Sequence, residues 1–197
     1  VLCGDQVVEI QHGSLAAIRD KVAKLVKTRR VLVVKPIVVR KRIVRQDARA
    51  GKVLGRRFSP KTGNIWELFH ELVYFTRVFP QKNLVREVPR VDIEEWRFPG
   101  HGHRRRWRRN DHQVEDQKLM CIHRTHRFRS GLDLADLIPP GLPVPFHTGQ
   151  LAEHLELPRW IAQRIAYCFR KMEIAEEMGK SGNARLYRLP TQRRAAA

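Results

Sequence analysis

Residues 131–189 read GLDLADLIPPGLPVPFHTGQLAEHLELPRWIAQRIAYCFRKMEIAEEMGKSGNARLYRL, and they predict three helices followed by two strands. A first short helix is predicted over Asp133–Ile138, ahead of a connector rich in proline. Thr148 is the predicted N-cap of a second helix, because its hydroxyl can accept a hydrogen bond from a backbone N–H of the first turn. A third helix follows the turn at Pro158 and runs from Arg159 to about Met172.

Two strand-like runs close this region, Ile174–Met178 and Ala184–Leu189, and the turn residues Gly179–Asn183 join them. Three helices followed by a hairpin is the order of a winged helix-turn-helix, in which one helix enters the DNA major groove beside the hairpin. We therefore predict such a domain over residues 131–190. Winged helices also serve as protein-binding modules, so a role without base contacts stays open.

The third helix has one apolar face and one face suited to DNA. At about 100° per residue, the apolar side chains fall on one half of the helical wheel: Ile161, Ala162, Ile165, Cys168, Phe169 and Met172. The opposite half carries cations, an amide and aromatic rings, which suit phosphate oxygens and base edges. Its predicted contacts are Trp160, Gln163, Arg164, Tyr167 and Lys171, with Arg170 at the edge. On the hairpin they are Lys180, Arg185 and Arg188.

The charge of the chain predicts a polyanionic partner, DNA before RNA. The net charge is +19. Residues 131–197 contain 9 Lys and Arg against 7 Asp and Glu, whereas residues 1–130 contain 30 against 13. The first part therefore attracts phosphates more strongly. Its densest basic cluster combines arginines for phosphates with a tryptophan that can stack on a base: Arg104, Arg105, Arg106, Trp107, Arg108 and Arg109.

The first 128 residues predict a basic α/β domain with a mixed sheet. Val7–Gln11 alternates as a strand does, and Ser14 fits the N-cap of a helix that ends near Lys27. The β-branched run over residues 31–39 is interpreted as one buried strand. The elements expected after it are two basic strands around Val38–Arg45 and Lys52–Phe58, a helix from about Ile65 to Thr76, and a strand over Leu84–Trp96.

Glu9-Ile10-Gln11 ends a strand that a helix and a hydrophobic strand follow. In this order, residues 1–39 resemble the core of the PD-(D/E)XK (restriction-endonuclease-like) nuclease superfamily, in its competence-associated (CoiA-like) branch, where Gln replaces the last Lys of the motif. The resemblance implies that Glu9 is a Mg²⁺ ligand, that Ile10 offers its carbonyl oxygen to the metal, and that Gln11 replaces the lysine that positions the attacking water. Lys35 would supply a displaced catalytic cation. Oxygen ligands suit Mg²⁺, which can polarise a phosphodiester.

One part of that family's pattern is displaced. Its preceding acidic residue lies well upstream of the motif, whereas Asp5 is only four residues before Glu9, in a predicted turn. The chain opens at Val1 without an initiator methionine, so we expect the N-terminal domain to be truncated and the missing ligand to lie upstream.

The cysteines predict neither a disulfide framework nor a zinc ribbon, because the three of them form no CxxC pair. Cys121-x-His123-x-x-His126 has metal-ligating residue types, but no second pair has zinc spacing. No signal peptide and no apolar run long enough to span a bilayer is found, so we expect a cytoplasmic protein.

These patterns predict a DNA-binding protein with a metal-dependent nuclease-like domain over residues 1–128. The whole chain resembles an uncharacterised bacterial family that pairs such a domain with a winged helix. The nuclease would be a Mg²⁺-dependent endonuclease. The alternative is a non-catalytic, winged-helix DNA-binding or regulatory protein, and RNA binding is a third option.

Overall fold

The computed structural model describes residues 2–100 and 111–190. Their strands, in chain order, are β1 (Leu2–Cys3), β2 (Gln6–Ile10), β3 (Arg30–Val34), β4 (Ile37–Gln46), β5 (Val53–Phe58), β6 (Leu84–Pro99), β7 (His112–Phe128), β8 (Glu176–Ser181) and β9 (Ala184–Arg188). Their α-helices are α1 (Arg19–Leu25), α2 (Leu68–Leu72), α3 (Gly131–Ala135), α4 (Thr148–His154) and α5 (Arg159–Lys171). Strand pairing is both parallel and antiparallel, which confirms the predicted mixed α/β class.

The chain divides into two compact units, and each is built from separate segments of the sequence. The unit that we call the α/β unit comprises the described residues of Val1–Lys35, Trp66–Val88 and His126–Ala197. The second, which we call the basic β unit, comprises those of Pro36–Ile65 and Pro89–Thr125. Residues 126–190 therefore cluster with earlier parts of the chain rather than by themselves.

In the α/β unit, α1 connects two parallel strands. β1 pairs antiparallel with β2, and β2 pairs parallel with β3, from Gln6 opposite Arg30 to Ile10 opposite Val34. Ser14 is an N-cap, as predicted, since its side chain accepts a hydrogen bond from the backbone N–H of Ala16. It begins a single 3₁₀ turn, and α1 follows. β3 in turn pairs parallel with the first residues of β6.

Apolar side chains from several helices and β6 form the core of this unit. The rings of Phe69 on α2 and Phe169 on α5 meet edge to face, with centroids 5.6 Å apart. Gly131 begins α3 beside Ile174, at a place where a β-carbon would clash with that side chain. This start lies two residues before the predicted Asp133, and Ser130 is the N-cap of α3.

Helix α4 begins one residue earlier than predicted, and its N-cap is different. His147, not Thr148, is the N-cap, and its Nδ1 accepts hydrogen bonds from the N–H groups of Gly149 at 3.0 Å and Gln150 at 3.2 Å. The Gln150 side chain accepts one in return from the backbone of His147. Thr148 is thereby the first helical residue.

In the basic β unit, two hairpins share one sheet. β4 pairs antiparallel with β5 and parallel with β6, and β6 also pairs with β7. The run predicted as one strand over residues 31–39 is interrupted at Lys35-Pro36, because proline has no N–H for a strand ladder. Since β4 and β6 are parallel, the turn after β4 and the chain that leaves β6 lie at the same end of this sheet. No helix among the described residues is long and apolar enough to cross a membrane.

Candidate nucleic-acid interface

The β4–β5 hairpin is the most basic element that the structure describes. Residues 37–58 include eight Lys and Arg residues and a single acid, Asp47. Asp47 shapes the turn: its backbone N–H donates to the carbonyl of Lys52 at 3.1 Å, and its carboxylate accepts from the N–H of Ala48 at 2.7 Å. The only acid of the hairpin therefore has a structural role, and the hairpin presents an almost uniform positive charge.

Arginines gather at the end of the sheet next to this turn. A cavity of about 270 Å³ is lined there by Ile43, Arg45, Gln46, Leu54, Arg57, Arg97, Phe98, Pro99, Asp111 and His112. Arg97 forms an ion pair with Glu95. Arg45 and Arg57, by contrast, form no ion pair within the described residues. Two guanidinium groups are thus free to bind an anion at this end.

A second cluster combines cations with an exposed aromatic ring. An open groove of about 550 Å³ is lined by Arg42, Arg56, Arg57, Phe58, Glu94 and Met120. The Phe58 side chain is 53% exposed, although it ends a strand. The guanidinium carbon of Arg40 lies 4.6 Å from its ring centroid, and that of Arg42 lies 5.8 Å away. Planar cations beside an accessible ring are a combination that can bind phosphate and stack on a base.

Other cations of the basic β unit hold the sheet together. Glu95 on β6 is 2% exposed, and its carboxylate receives Lys41 at 2.6 Å, Gln117 at 2.6 Å and the guanidinium of Arg97. Burial raises the pKa of Glu95, but the hydrogen bonds from these three donors outweigh burial and hold the pKa below its ordinary value. Lys41 and Arg97 are therefore committed to structure, unlike Arg45 and Arg57.

The predicted arginine-rich contacts, Arg104, Arg105, Arg106, Trp107, Arg108 and Arg109, lie outside the described residues. Their flanks are described. The N–H of Gly100 donates to the carbonyl of Asp111 at 3.3 Å, which brings the two flanks together at the end of the β6–β7 hairpin. Ala50 of the β4–β5 turn also donates its N–H to the carboxylate of Glu115 on β7.

The faces of α5 agree with the helical wheel. Ile161, Ile165 and Phe169 are buried with the rest of the predicted apolar set. The predicted DNA-contacting residues of this helix are exposed: Trp160, Gln163, Arg164, Tyr167 and Lys171. Two of them also make an intramolecular contact that the sequence did not predict. The ring of Trp160 lies 4.9 Å from that of His70, and the Arg164 guanidinium contacts the same imidazole.

The β8–β9 hairpin carries the remaining predicted contacts. Arg185 pairs with Glu177 at 2.9 Å, and Arg188 pairs with Glu176 at 2.6 Å. Lys180 lies opposite Arg185 in the strand register. The predicted turn over Gly179–Asn183 is shorter than expected, because β8 continues to Ser181. Both arginines of this hairpin are therefore neutralised locally.

The residues assigned to catalysis by resemblance have other partners. The Glu9 carboxylate lies 2.6 Å from the Lys21 ammonium group, and the Gln11 side chain donates to the carbonyl of Ser14. The Ile10 side chain is 65% exposed. Lys35 donates to the carbonyls of His12 and Gly13, at 2.6 Å each.

This donor set does not fit Mg²⁺. Glu9 is a single carboxylate whose charge is already balanced by an ammonium group, and hard divalent cations take several oxygen ligands. Within the described residues, no three acidic, histidine or cysteine side chains come together as a metal site. Cys121 and His123 are close, at 3.9 Å, but the other ring nitrogen of His123 faces Asp92 at 2.9 Å.

A buried arginine lies in the core of the α/β unit. Arg86 on β6 is 0% exposed, and its three guanidinium nitrogens have no hydrogen-bond partner among the described residues. Its guanidinium carbon lies 5.7 Å from the ring centroid of Phe75 and 5.8 Å from that of Phe79. Burial lowers the pKa of Arg86 to about 10, against the smaller opposing effects of Cys168 and Glu71.

Comparison with protein families decides where the chain belongs. Residues 1–129 match the model of a family described as Domain of unknown function (DUF8091). The chain belongs to this family. The match covers both basic strands of the β4–β5 hairpin and ends next to Ser130, so α3 to β9 lie beyond it. No curated protein and no solved structure gave a significant match.

Sequence reasoning had found the strands of the basic hairpin but not its side chains as a site. The signal that was available is alternation: Arg40 and Arg42 share one face of β4, while Arg45 follows on the strand, before the one acid of the hairpin, Asp47, in the turn. No local pattern shows which of these cations form an ion pair with a carboxylate. Their carboxylate partners lie on β6, about fifty residues further along the chain.

Proposed function

We propose that the protein binds DNA through the β4–β5 hairpin, and that residues 131–190 form a winged helix whose α5 adds sequence preference. The observation that carries the proposal is that Arg45, Arg56 and Arg57 have no ion-pair partner within the described residues and stand on a hairpin with one acid. Such cations can replace the counterions of phosphates without first breaking a salt bridge. Two-stranded β-ribbons are also among the elements that fit the grooves of DNA.

The groove beside Phe58 supports contacts beyond the phosphates. Arg56 can hold a phosphate there, and the exposed ring offers a stacking surface for a base. Arg42 is not available in the same way, because its guanidinium pairs with Glu94 at 3.3 Å. The Glu94 carboxylate at the groove accepts a hydrogen bond from the Trp96 indole at 2.9 Å, which fixes its position. The proposal therefore covers distorted or single-stranded DNA as well as duplex.

The winged-helix part of the proposal is supported by three features. α4 leads through a short turn into α5, where the N–H of Leu157 donates to the carbonyl of Ala152 at 2.9 Å. α5 buries one face and exposes the other, which carries Gln163. The hairpin that follows is tied back by a bridge between Phe146 and Tyr187.

The test compares two matched pairs of arginines in the full chain. Arg56→Gln with Arg57→Gln should weaken binding of a fluorescent duplex and reduce the slope of log K against log salt by about 1.8, because each lost phosphate contact removes about 0.9. Arg185→Gln with Arg188→Gln is the control, since it removes the same charge from ion-paired positions. A slope that changes equally in both pairs, or no binding by the wild type, would refute the proposal.

Metal-dependent cleavage of DNA is the second candidate. The order of β1, β2, α1 and β3, with Glu9 near the end of β2, supports it because this is the order on which the resemblance rests. The donor set around Glu9 gives it no further support. Nicking of supercoiled DNA with Mg²⁺ or Mn²⁺, compared between the wild type and Glu9→Gln, tests it. Equal nicking by both proteins would show that Glu9 does not carry the cleavage, and nicking by neither would leave DNA binding without catalysis.

A further inference from the structure

Strand β7 is a long exposed edge of the basic β unit. It pairs with β6, and among the described residues it has no second partner strand. Three apolar side chains at its centre are exposed: Leu119 by 59%, Met120 by 55% and Ile122 by 54%. Long edges with exposed apolar residues pair with other chains unless they are covered.

Two charges of opposite sign lie at equal distances from the centre of β7. Asp116 lies four residues before Met120 and Arg124 four residues after it, while Lys118, between Asp116 and the apolar centre, lies over the Trp96 ring at 4.9 Å. Neither Asp116 nor Arg124 forms an ion pair within the described residues. A strand with an unpaired acid and an unpaired base at equal distances from its centre places each opposite the other when two copies run antiparallel about that centre.

We infer that β7 pairs with β7 of a second copy of this chain, antiparallel about a two-fold axis at Met120. Two-fold symmetry requires one residue of the strand to face its own copy. With the axis at Met120, Asp116 faces Arg124 of the other copy and Leu119 faces Cys121. An axis at Cys121 would instead place Lys118 opposite Arg124, and like charges directly opposed destabilise a strand pair.

This pairing has two physical consequences. The unpaired backbone N–H and C=O groups of the β7 edge gain partners, and the apolar centre is covered by its own copy. The two sheets become one continuous sheet, with a free β5 edge at each end. Strands β4 and β5 do not take part in the pairing, but Met120 also lines the groove beside Phe58. Self-association is therefore measured without DNA, so that the inference and the proposed function can fail separately.

The first experiment measures self-association of the full chain by sedimentation equilibrium. The wild type should form a dimer. Met120→Lys should dissociate it, because two ammonium groups would then face each other on the axis. Leu54→Lys is the control, since Leu54 is equally exposed, at 58%, but lies on β5. A monomeric wild type, or a dimer that Met120→Lys leaves unchanged, overturns the inference.

A charge exchange tests the register and does not alter the apolar centre. Asp116→Arg alone and Arg124→Asp alone should each raise the dissociation constant about tenfold, because each creates two like-charge pairs per dimer. The double variant should return it to near the wild-type value. Failure of the double variant to restore association overturns the register and favours a different protein as the occupant of β7.

Cross-linking provides a second measure of the same geometry. Cys121 of each copy faces Leu119 of the other copy. The two Cys121 residues are therefore diagonal neighbours, with Cα atoms about 7–8 Å apart. A short bis-maleimide should therefore join two copies in a Cys3→Ser background. Burial raises the pKa of the Cys168 thiol to about 12, so that residue does not compete. Absence of the cross-link in a protein that sediments as a dimer contradicts pairing along β7.

Discussion

The β4–β5 and β8–β9 hairpins have the same antiparallel geometry and both carry arginines, but their charges are disposed in opposite ways. In β8–β9, Arg185 and Arg188 each meet a glutamate across the strands. In β4–β5, Arg45 and Arg57 meet none within the described residues, and the one acid of the hairpin shapes its turn.

The difference shows that the charge counted along a sequence is not the charge available for binding. An arginine that already faces a carboxylate must exchange one partner for another, and the net gain is small. An arginine without a partner gains a phosphate and releases a counterion from DNA. The contrast divides the cations of this protein into those that pair with a carboxylate and those that are available to bind a phosphate.

The largest expected effect is on the stability of the basic β unit. Glu95→Gln should lower the free energy of unfolding by about 3–5 kcal/mol, because it leaves Lys41 and Arg97 without the buried carboxylate that pairs with them. Chemical denaturation measures this. Glu153→Gln, at an exposed acid on α4, is the control and should change stability by less than about 0.5 kcal/mol.

The same glutamate predicts how stability depends on pH. Its pKa in the folded protein lies below the ordinary value of 4.5, so its contribution is complete above that pH and is lost as pH falls through the folded-state pKa. The wild type should lose stability on acidification below about pH 4.5, and Glu95→Gln should lose less. An equal acid response in both proteins would show that Glu95 is not a structural partner of these cations.

Arg86 is a cation that is unpaired and also buried, so it should destabilise rather than bind. Arg86→Met should raise the free energy of unfolding by about 1–4 kcal/mol, since an apolar side chain of similar length removes the desolvation cost. Burial lowers the pKa of Arg86 to about 10, so the wild type should gain stability as pH rises above 10, and the variant should not. Loss of stability in Arg86→Met would show that the contacts of the guanidinium with Phe75 and Phe79 outweigh its desolvation cost.

The sequence predicted best what depends on near neighbours. The apolar period of α5 identified its buried face, including Ile161 and Phe169, because helical spacing relates residues three and four apart. The N-cap at Ser14 and the two basic strands followed from equally local signals. Of the candidate site, the sequence identified the exposed face of α5 but not the clusters on β4 and β5.

What the sequence could not predict depends on distant partners or on strand register. His70 contacts Trp160 and Arg164 from about ninety residues away, which no local pattern reveals. The turn of the last hairpin lies at Gly182-Asn183, which is the C-terminal end of the predicted turn Gly179–Asn183. The two strands are therefore paired in a different register from the predicted one, with Glu176 opposite Arg188. The predicted register did not indicate these ion pairs.

If affinity comes from the β4–β5 hairpin, α5 should act on selectivity. Gln163→Ala with Arg164→Ala should reduce discrimination between preferred and unrelated duplexes by about 1–3 kcal/mol, the value of a lost bidentate base contact. Its salt slope should change less than that of the Arg56 and Arg57 variant. Competition binding with a randomised duplex pool measures this. Unchanged discrimination would indicate that α5 faces a protein partner.

The smallest expected effect is the most direct test of the comparison between the two hairpins. It leaves the arginines of β8–β9 without ion-pair partners, as Arg45 and Arg57 of β4–β5 are within the described residues. Glu176→Gln with Glu177→Gln removes the partners of Arg188 and Arg185 and makes both arginines available. The slope of log K against log salt should steepen by at most about 1.8. The fold should persist, since exposed ion pairs contribute only about 0–1 kcal/mol each. Asp136→Asn with Glu153→Gln is the matched control, because it changes the net charge equally at two exposed positions that form no ion pair within the described residues. Asp136 directly follows α3, and Glu153 lies on α4. If the two variants steepen the slope equally, only net charge matters, and local pairing does not decide which cations bind DNA.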